Sequence, residues 1–223
     1  DLGFDLGRVA EAVTERTKLV VLATPNNPTG VACTTAELRT LLERVPASVI
    51  VCIDEAYREF LDPGYGDPVA ELCPEFANVI VTRTMSKAHG LAGVRLGYGI
   101  GHPDVISTVD KTLVPFAVNA LAQAAALAAI EHEHEIVRAV DAILAERARV
   151  EVELAAAGWT FPRHQANFVW LQLDTATDDV ALALERRGVV VRPFSGEGIR
   201  VTIGTAAEND RFLVALAEVA EPG

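Results

Sequence analysis

The chain has 223 residues, 50% hydrophobic and 22% charged, enough apolar material for a substantial core in one large or two small domains. Lys and Arg number 19 against 31 Asp and Glu, a net charge of −12 with histidine neutral. So acidic a chain is poorly suited to nucleic acid or an anionic membrane, which select basic patches, although a few placed arginines still bind small anions.

Residues 18–24 form a short apolar run that ends in a Pro/Asn/Gly turn and read as a buried strand. Thr34 and Glu37 have capping-box spacing ahead of Leu38, Leu41 and Leu42, so a helix follows. Residues 49–53 and 78–82 are further buried strands, and 96–100 a fourth. Strands alternating with helices, and apolar on both faces, predict an α/β fold with a mainly parallel sheet flanked by helices. After about residue 115 the character changes. Residues 119–130 are alanine-rich and helical, and 135–157 continue as a long helix with Val137, Val140, Ile143, Leu144 and Val150 on its apolar stripe. Beyond Gly158, strands over 167–173, 188–192 and 199–203 are interleaved with helices over 178–187 and 208–219, a smaller α+β unit.

Cys33, Cys52 and Cys73 are odd in number, widely spaced and without a CxxC pair, which predicts free thiols, Cys52 buried among them, and a cytoplasmic location. No apolar run is long enough to cross a bilayer, and no signal-peptide pattern is visible. His132 and His134 stand two apart, on nearly opposite sides of any helix, so a solvated turn is expected there rather than a metal site.

The residues with chemical potential lie after the strands, where α/β sheets place ligands. Asn27-Pro28-Thr29-Gly30 follows the first, Asp54 and Tyr57 the second, Thr84, Ser86 and Lys87 the third, and Arg95 precedes the fourth. Each alone has a plain structural explanation: a turn, a helix cap, a surface ion pair. Their order along one predicted sheet edge carries more weight. Together they resemble the fold-type-I aminotransferases of classes I and II, across essentially all of the chain.

That resemblance implies pyridoxal 5′-phosphate as cofactor and a role for each matching residue. Lys87 is the amine that condenses with the cofactor aldehyde and later moves the proton at the substrate Cα. Asp54 keeps the pyridine nitrogen protonated, and Asn27 and Tyr57 donate to the phenolic oxygen. Arg95, Ser86 and Thr84 cradle the phosphate, with Gly90 and Gly93 leaving room for it. Arg200 clamps a substrate carboxylate, and Arg192 is a candidate reader of a distal substrate group. It also implies residues 1–118 as part of a cofactor-binding domain, 119–157 as a helical connection, 158–223 as a small C-terminal domain, and a homodimer. The family's glycine-rich phosphate turn, stacking aromatic and substrate-facing tyrosine are not identifiable, so the chain reads as a C-terminal portion that by itself binds cofactor weakly or not at all.

Residues 115–123 resemble the histidinol-phosphate aminotransferase branch. Residues 166–171 and 191–194 resemble its aromatic-amino-acid relatives, and the aromatic reading is favoured, with 2-oxoglutarate and glutamate as the other pair. A decarboxylase or carbon–sulfur lyase would share Lys87, Asp54 and Tyr57. The aminotransferase-like domain of a transcription regulator is a non-enzymatic alternative, which the acidity does not favour.

Overall fold

A computed structural model of the chain describes residues 2–222. Their contacts divide them into two compact units, one comprising Gly3–Asn26 and Ala32–Ile136, the other Asn27–Val31 with the chain from Val137 onward.

The first unit is built on β1 (Leu19–Ala23), β2 (Ile50–Asp54), β3 (Val79–Thr84) and β4 (Gly97–Gly101), hydrogen-bonded in that order. β1, β2 and β3 are parallel and β4 returns antiparallel, pairing Thr84 with Gly97 and Val81 with Ile100. α2 (Thr35–Leu42) starts at the expected capping box, in which the Thr34 hydroxyl accepts from the Glu37 amide at 3.2 Å and the Glu37 carboxylate accepts from the Thr34 amide at 2.7 Å. Val51, Ile53, Val79 and Val81 are fully buried against Leu38, Leu41 and Leu42 of α2, with Leu72 completing the cluster. Each such side chain contributes about 1.5–3 kcal/mol by leaving water.

The expectation of a buried strand needs correction at β1. Among the described residues, Val20, Leu22, Val51 and Ile53 pack into the cluster with α2, whereas Leu19 and Val21 are 55% and 59% exposed. Strand residues alternate between faces, so an apolar run buries only half its side chains unless both faces are covered. Cys52 is accordingly half-buried, and Cys33 is the buried thiol, pushed up to about 11 mainly by burial and also by Glu37. Three helices escaped the sequence reading: α1 (Leu6–Glu11), α3 (Pro68–Glu71) and α4 (Pro103–Asp110). Their signals are local ones, the Asp5 and Asp67 caps and proline in the first turn of α3 and α4. α5 (Ala120–Glu131) follows, capped by Asn119, and the exposed His132 ends it at a turn.

α6 (Glu133–Ala156) leads into the second unit, whose sheet is antiparallel: β5 (Phe168–Gln172), β7 (Gly198–Thr202) and β6 (Arg192–Phe194), in that spatial order. Val169, Leu171, Ile199 and Val201 project from one face into a core made with Val150 and Leu154 of α6, Leu184 of α7 (Thr177–Arg186) and Phe212 and Leu216 of α8 (Ala206–Val219). Val137 of the predicted stripe is instead 51% exposed. β6 begins where the predicted strand over 188–192 was to end. Val189 and Val191 pack on the core without joining the ladder, and Pro193, which has no amide to donate, is accommodated because β6 is an outer strand. α8 starts earlier than expected because Thr205 and Glu208 form a second capping box.

A β-carbon at Gly198 would stand 2.2 Å from the Leu171 carbonyl oxygen and 2.7 Å from the Trp170 ring. Gly198→Ala is therefore expected to lower stability by about 1–3 kcal/mol through overpacking. Urea denaturation of the full-length protein checks this, and an unchanged midpoint would contradict the close approach.

Candidate active site

The sheet topology explains how distant residues meet in the first unit. β2 and β3 end at Asp54 and Thr84, and because β4 runs back against β3, Arg95 precedes it at the same edge that Lys87 follows. Asp54 is half-buried, with one carboxylate oxygen accepting from the Ala56 amide at 3.1 Å. Tyr57 is 5% exposed, and the Lys87 Nζ lies 5.2 Å from its ring centroid. Lys87 itself is exposed and forms no ion pair among the described residues. Its amine is therefore not neutralised by a neighbouring carboxylate.

The loop between Lys87 and Arg95 is closed by its own backbone, with the Met85 amide donating to the Leu96 carbonyl at 3.1 Å and the Leu91 amide to the Met85 carbonyl at 3.0 Å. Ser86 is half-buried, and its amide donates to the Thr84 hydroxyl at 3.1 Å, which itself donates to the Leu96 carbonyl at 3.4 Å. Thr84 thus holds the loop. A β-carbon at Gly90 or Gly93 would meet nothing within 4 Å, so open space borders the loop. Arg95 has the left-handed backbone (φ 60°) that a side chain rarely adopts, and its guanidinium donates to the Ala92 carbonyl at 2.7 Å. Held strain of this kind collects at functional sites.

Beneath this edge lies an ion network that the sequence reading missed. Glu55, 1% exposed, accepts from the Arg83 Nε at 2.8 Å, and Arg83 also donates to Asp67 at 2.8 Å. Arg58 stands 3.4 Å from Glu55 and donates to the Gly66 carbonyl at 2.6 Å. Burial pushes the Glu55 carboxyl up, and the bond and charge of Arg83 pull it back. Burial also works against the Asp67 carboxylate, but the Val69 amide and the two guanidiniums hold it low. The network fastens the ends of β2 and β3 to the α3 cap. Its one sequence signal was an arginine between two threonines directly after the apolar run Val79–Val81.

In the second unit, Trp170, Arg200 and Arg192 are cross-strand neighbours on the face turned away from the core. The Arg200 guanidinium donates to the Asn27 side-chain oxygen at 2.6 Å and lies 5.2 Å from the Phe168 ring centroid, while its buried Nε has no partner. With its oxygen engaged, Asn27 presents its amide N–H to anything else it meets. Arg192 is exposed, makes no ion pair among the described residues and lies 6.0 Å from the Phe194 ring, which contacts Trp170 edge-on at 5.5 Å. Neither arginine of this neighbouring pair is balanced by a carboxylate, an arrangement suited to an anion.

Comparison with known proteins supplies the class. The family model for aminotransferase class I and II matches residues 1–216, and the chain belongs to that family. Over 210 residues it is 52% identical to an aromatic amino acid aminotransferase of Thermobifida fusca (strain YX), a match covering 94% of this chain and 58% of that protein. The chain thus spans 58% of the length of such curated relatives. Among solved structures it is similar to the histidinol-phosphate aminotransferase of Sinorhizobium meliloti in complex with pyridoxal-5′-phosphate, with TM-score 0.81, 29% identity and coverage of 96% of this chain and 59% of that one. It is likewise similar to that of Clostridium acetobutylicum, with TM-score 0.85, 25% identity and coverage of 96% and 67%.

Removing one member of a buried pair leaves the other charged and unsolvated. Arg83→Ala is expected to cost about 3–5 kcal/mol, and Glu55→Gln with Arg83→Met appreciably less. Because the Glu55 carboxyl lies above its unfolded value, the native chain holds more protons than the unfolded one in the window between the two. The stability that this group contributes therefore falls as pH rises through that window, and more steeply once Arg83 is gone. Denaturation of both variants across the acidic range checks the size and the sign.

Proposed function

We propose that the full-length protein is a pyridoxal-phosphate-dependent transaminase that exchanges an amino group between an aromatic amino acid and 2-oxoglutarate. The observation that carries this is the meeting of Asp54, Tyr57, Ser86, Lys87 and Arg95 at one sheet edge, in a chain half identical to aromatic amino acid aminotransferases.

The residues suit such a cofactor. Lys87 is an amine with no neutralising partner among the described residues, and open space borders Gly90 and Gly93 in the loop that runs from Ser86 to Arg95, which suits a phosphate. When bound, the cofactor supplies an electrophilic aldehyde and a pyridine ring that withdraws electrons from the substrate Cα. Lys87 would hold the cofactor through its amine and would carry a proton to and from the substrate Cα. Asp54 would keep a proton on the ring nitrogen through its negative charge, and Tyr57 would donate to the phenolic oxygen, a role that the family resemblance also gives to the Asn27 amide. Arg95 and Ser86 hold the phosphate, and Thr84 holds Ser86. Arg200 binds the substrate α-carboxylate, and the aromatic pair Trp170 and Phe194 favours an aromatic side chain nearby.

Histidinol phosphate is the second reading, supported by the unbalanced Arg192 beside Arg200 and by the structural likeness to histidinol-phosphate aminotransferases. We further place the protein in the cytoplasm, on its unpaired thiols, and expect a homodimer, on the exposed apolar side chains of Phe116, Leu121 and Leu127.

Lys87→Ala in the full-length enzyme is expected to abolish both transamination and borohydride-fixable cofactor, and retention of either in the variant would remove Lys87 from its role. Arg192→Gln separates the substrate readings. Loss of a charge-assisted contact should weaken histidinol phosphate by about 1.5–3 kcal/mol and leave phenylalanine nearly unchanged. A wild-type kcat/KM higher for histidinol phosphate than for phenylalanine would overturn the aromatic preference and leave the transaminase intact.

A further inference from the structure

His164 stands outside the residues that the proposed chemistry uses, yet its side chain is fully buried and both ring nitrogens are engaged. Nδ1 is 2.7 Å from a Glu151 carboxylate oxygen on α6, and Nε2 is 2.8 Å from the Trp170 amide nitrogen on β5. An amide can only donate, so Nε2 accepts and Nδ1 carries the proton that it gives to Glu151. The tautomer is thereby fixed, and Phe161 stacks on the ring with centroids 5.4 Å apart. β5 is an outer strand, and the Trp170 amide points off its free edge, so the imidazole satisfies a donor that the ladder leaves unused.

The same residue abuts the Asn27–Gly30 turn. A β-carbon on Gly30 (φ 72°) would lie 3.1 Å from His164 Cδ2 and 3.4 Å from its Cα, and the next amide, of Gln165, donates to the Gly30 carbonyl at 2.7 Å. The far end of that turn is Asn27, which accepts from Arg200. Trp170, whose amide His164 binds, is the direct cross-strand neighbour of Arg200.

We propose that His164, locked by Glu151, is a positioning residue that fixes the Asn27–Gly30 turn against Arg200 and so sets the geometry in which Arg200 takes an anionic substrate group. Its effect on turnover rests on the transaminase reading, whereas its hold on the turn does not. The ring grips the outer edge of β5 on one side and backs Gly30 on the other. Losing it frees both supports of the Asn27–Arg200 contact without removing any group placed at the cofactor.

The test uses full-length protein with His164→Ala, His164→Gln and Glu151→Gln. His164→Ala is expected to speed amide exchange at both Trp170 and Gln165 by about tenfold, the loss of about one net hydrogen bond. It should raise KM for glutamate by a similar factor with kcat within about threefold. His164→Gln, whose side-chain oxygen can accept from Trp170, should recover much of both effects, and Glu151→Gln should show a smaller version. Faster exchange at Trp170 alone, with Gln165 and KM unchanged well below the unfolding temperature, would reduce His164 to a strand-edge cap and overturn the proposal. If wild type does not transaminate at all, the functional reading fails, and exchange at Gln165 still decides whether His164 holds the turn.

Discussion

The candidate site depends on the return of β4 against β3. Parallel strands joined by helices bring the ends of β2 and β3 to one edge, which accounts for Asp54 and the segment ending in Lys87. A fourth parallel strand would have delivered Arg95 to the opposite edge. Running antiparallel, β4 pairs its first residue, Gly97, with Thr84, so an eight-residue separation in sequence becomes a closed loop with lysine and arginine at its two ends. The backbone bonds from Met85 to Leu96 and from Leu91 to Met85 set its width.

That edge is stiffened by a buried charge network rather than by apolar packing alone. Glu55 and Arg83 stand two residues beyond the fully buried Ile53 and Val81, and desolvating such charges is costly unless each has a partner. The pairing with Asp67 also joins the strand ends to the cap of a helix only one turn long, too short to persist without such anchoring. Asp54 and Glu55 are adjacent yet do different work. One lies on the open face of the sheet, half-buried, and the other turns to the covered side and serves the scaffold. Alternation along the strand separates them.

The second unit works on the same plan with its faces reversed in use. One sheet face is the core. The other gathers Trp170, Arg200 and Arg192 in a cross-strand row, with Phe168 and Phe194 against the guanidiniums. Aromatic rings beside arginines keep water from one side of each cation, so an arriving anion meets charges already partly desolvated.

Several features were legible in the sequence because they are set by near neighbours. The Thr34–Glu37 capping box, the strand cores around Val51 and Val81, and the order of Asn27, Asp54, Lys87 and Arg95 depend on local spacing and on the two- and 3.6-residue periods. The one-turn α3 and the start of α8 were missed although their signals are equally local, in Asp67-Pro68 and Thr205-x-x-Glu208. Other features depended on residues far apart in the chain. Burial of only one face of β1, the shift of β6 onto Arg192–Phe194, the meeting of Glu55 with Arg83 and the locking of His164 between Glu151 and Trp170 are decided by which surfaces pack together. An apolar run has the same composition whether one of its faces is covered or both, and a buried histidine reads like an exposed one until the structure brings a carboxylate to one nitrogen and an amide to the other.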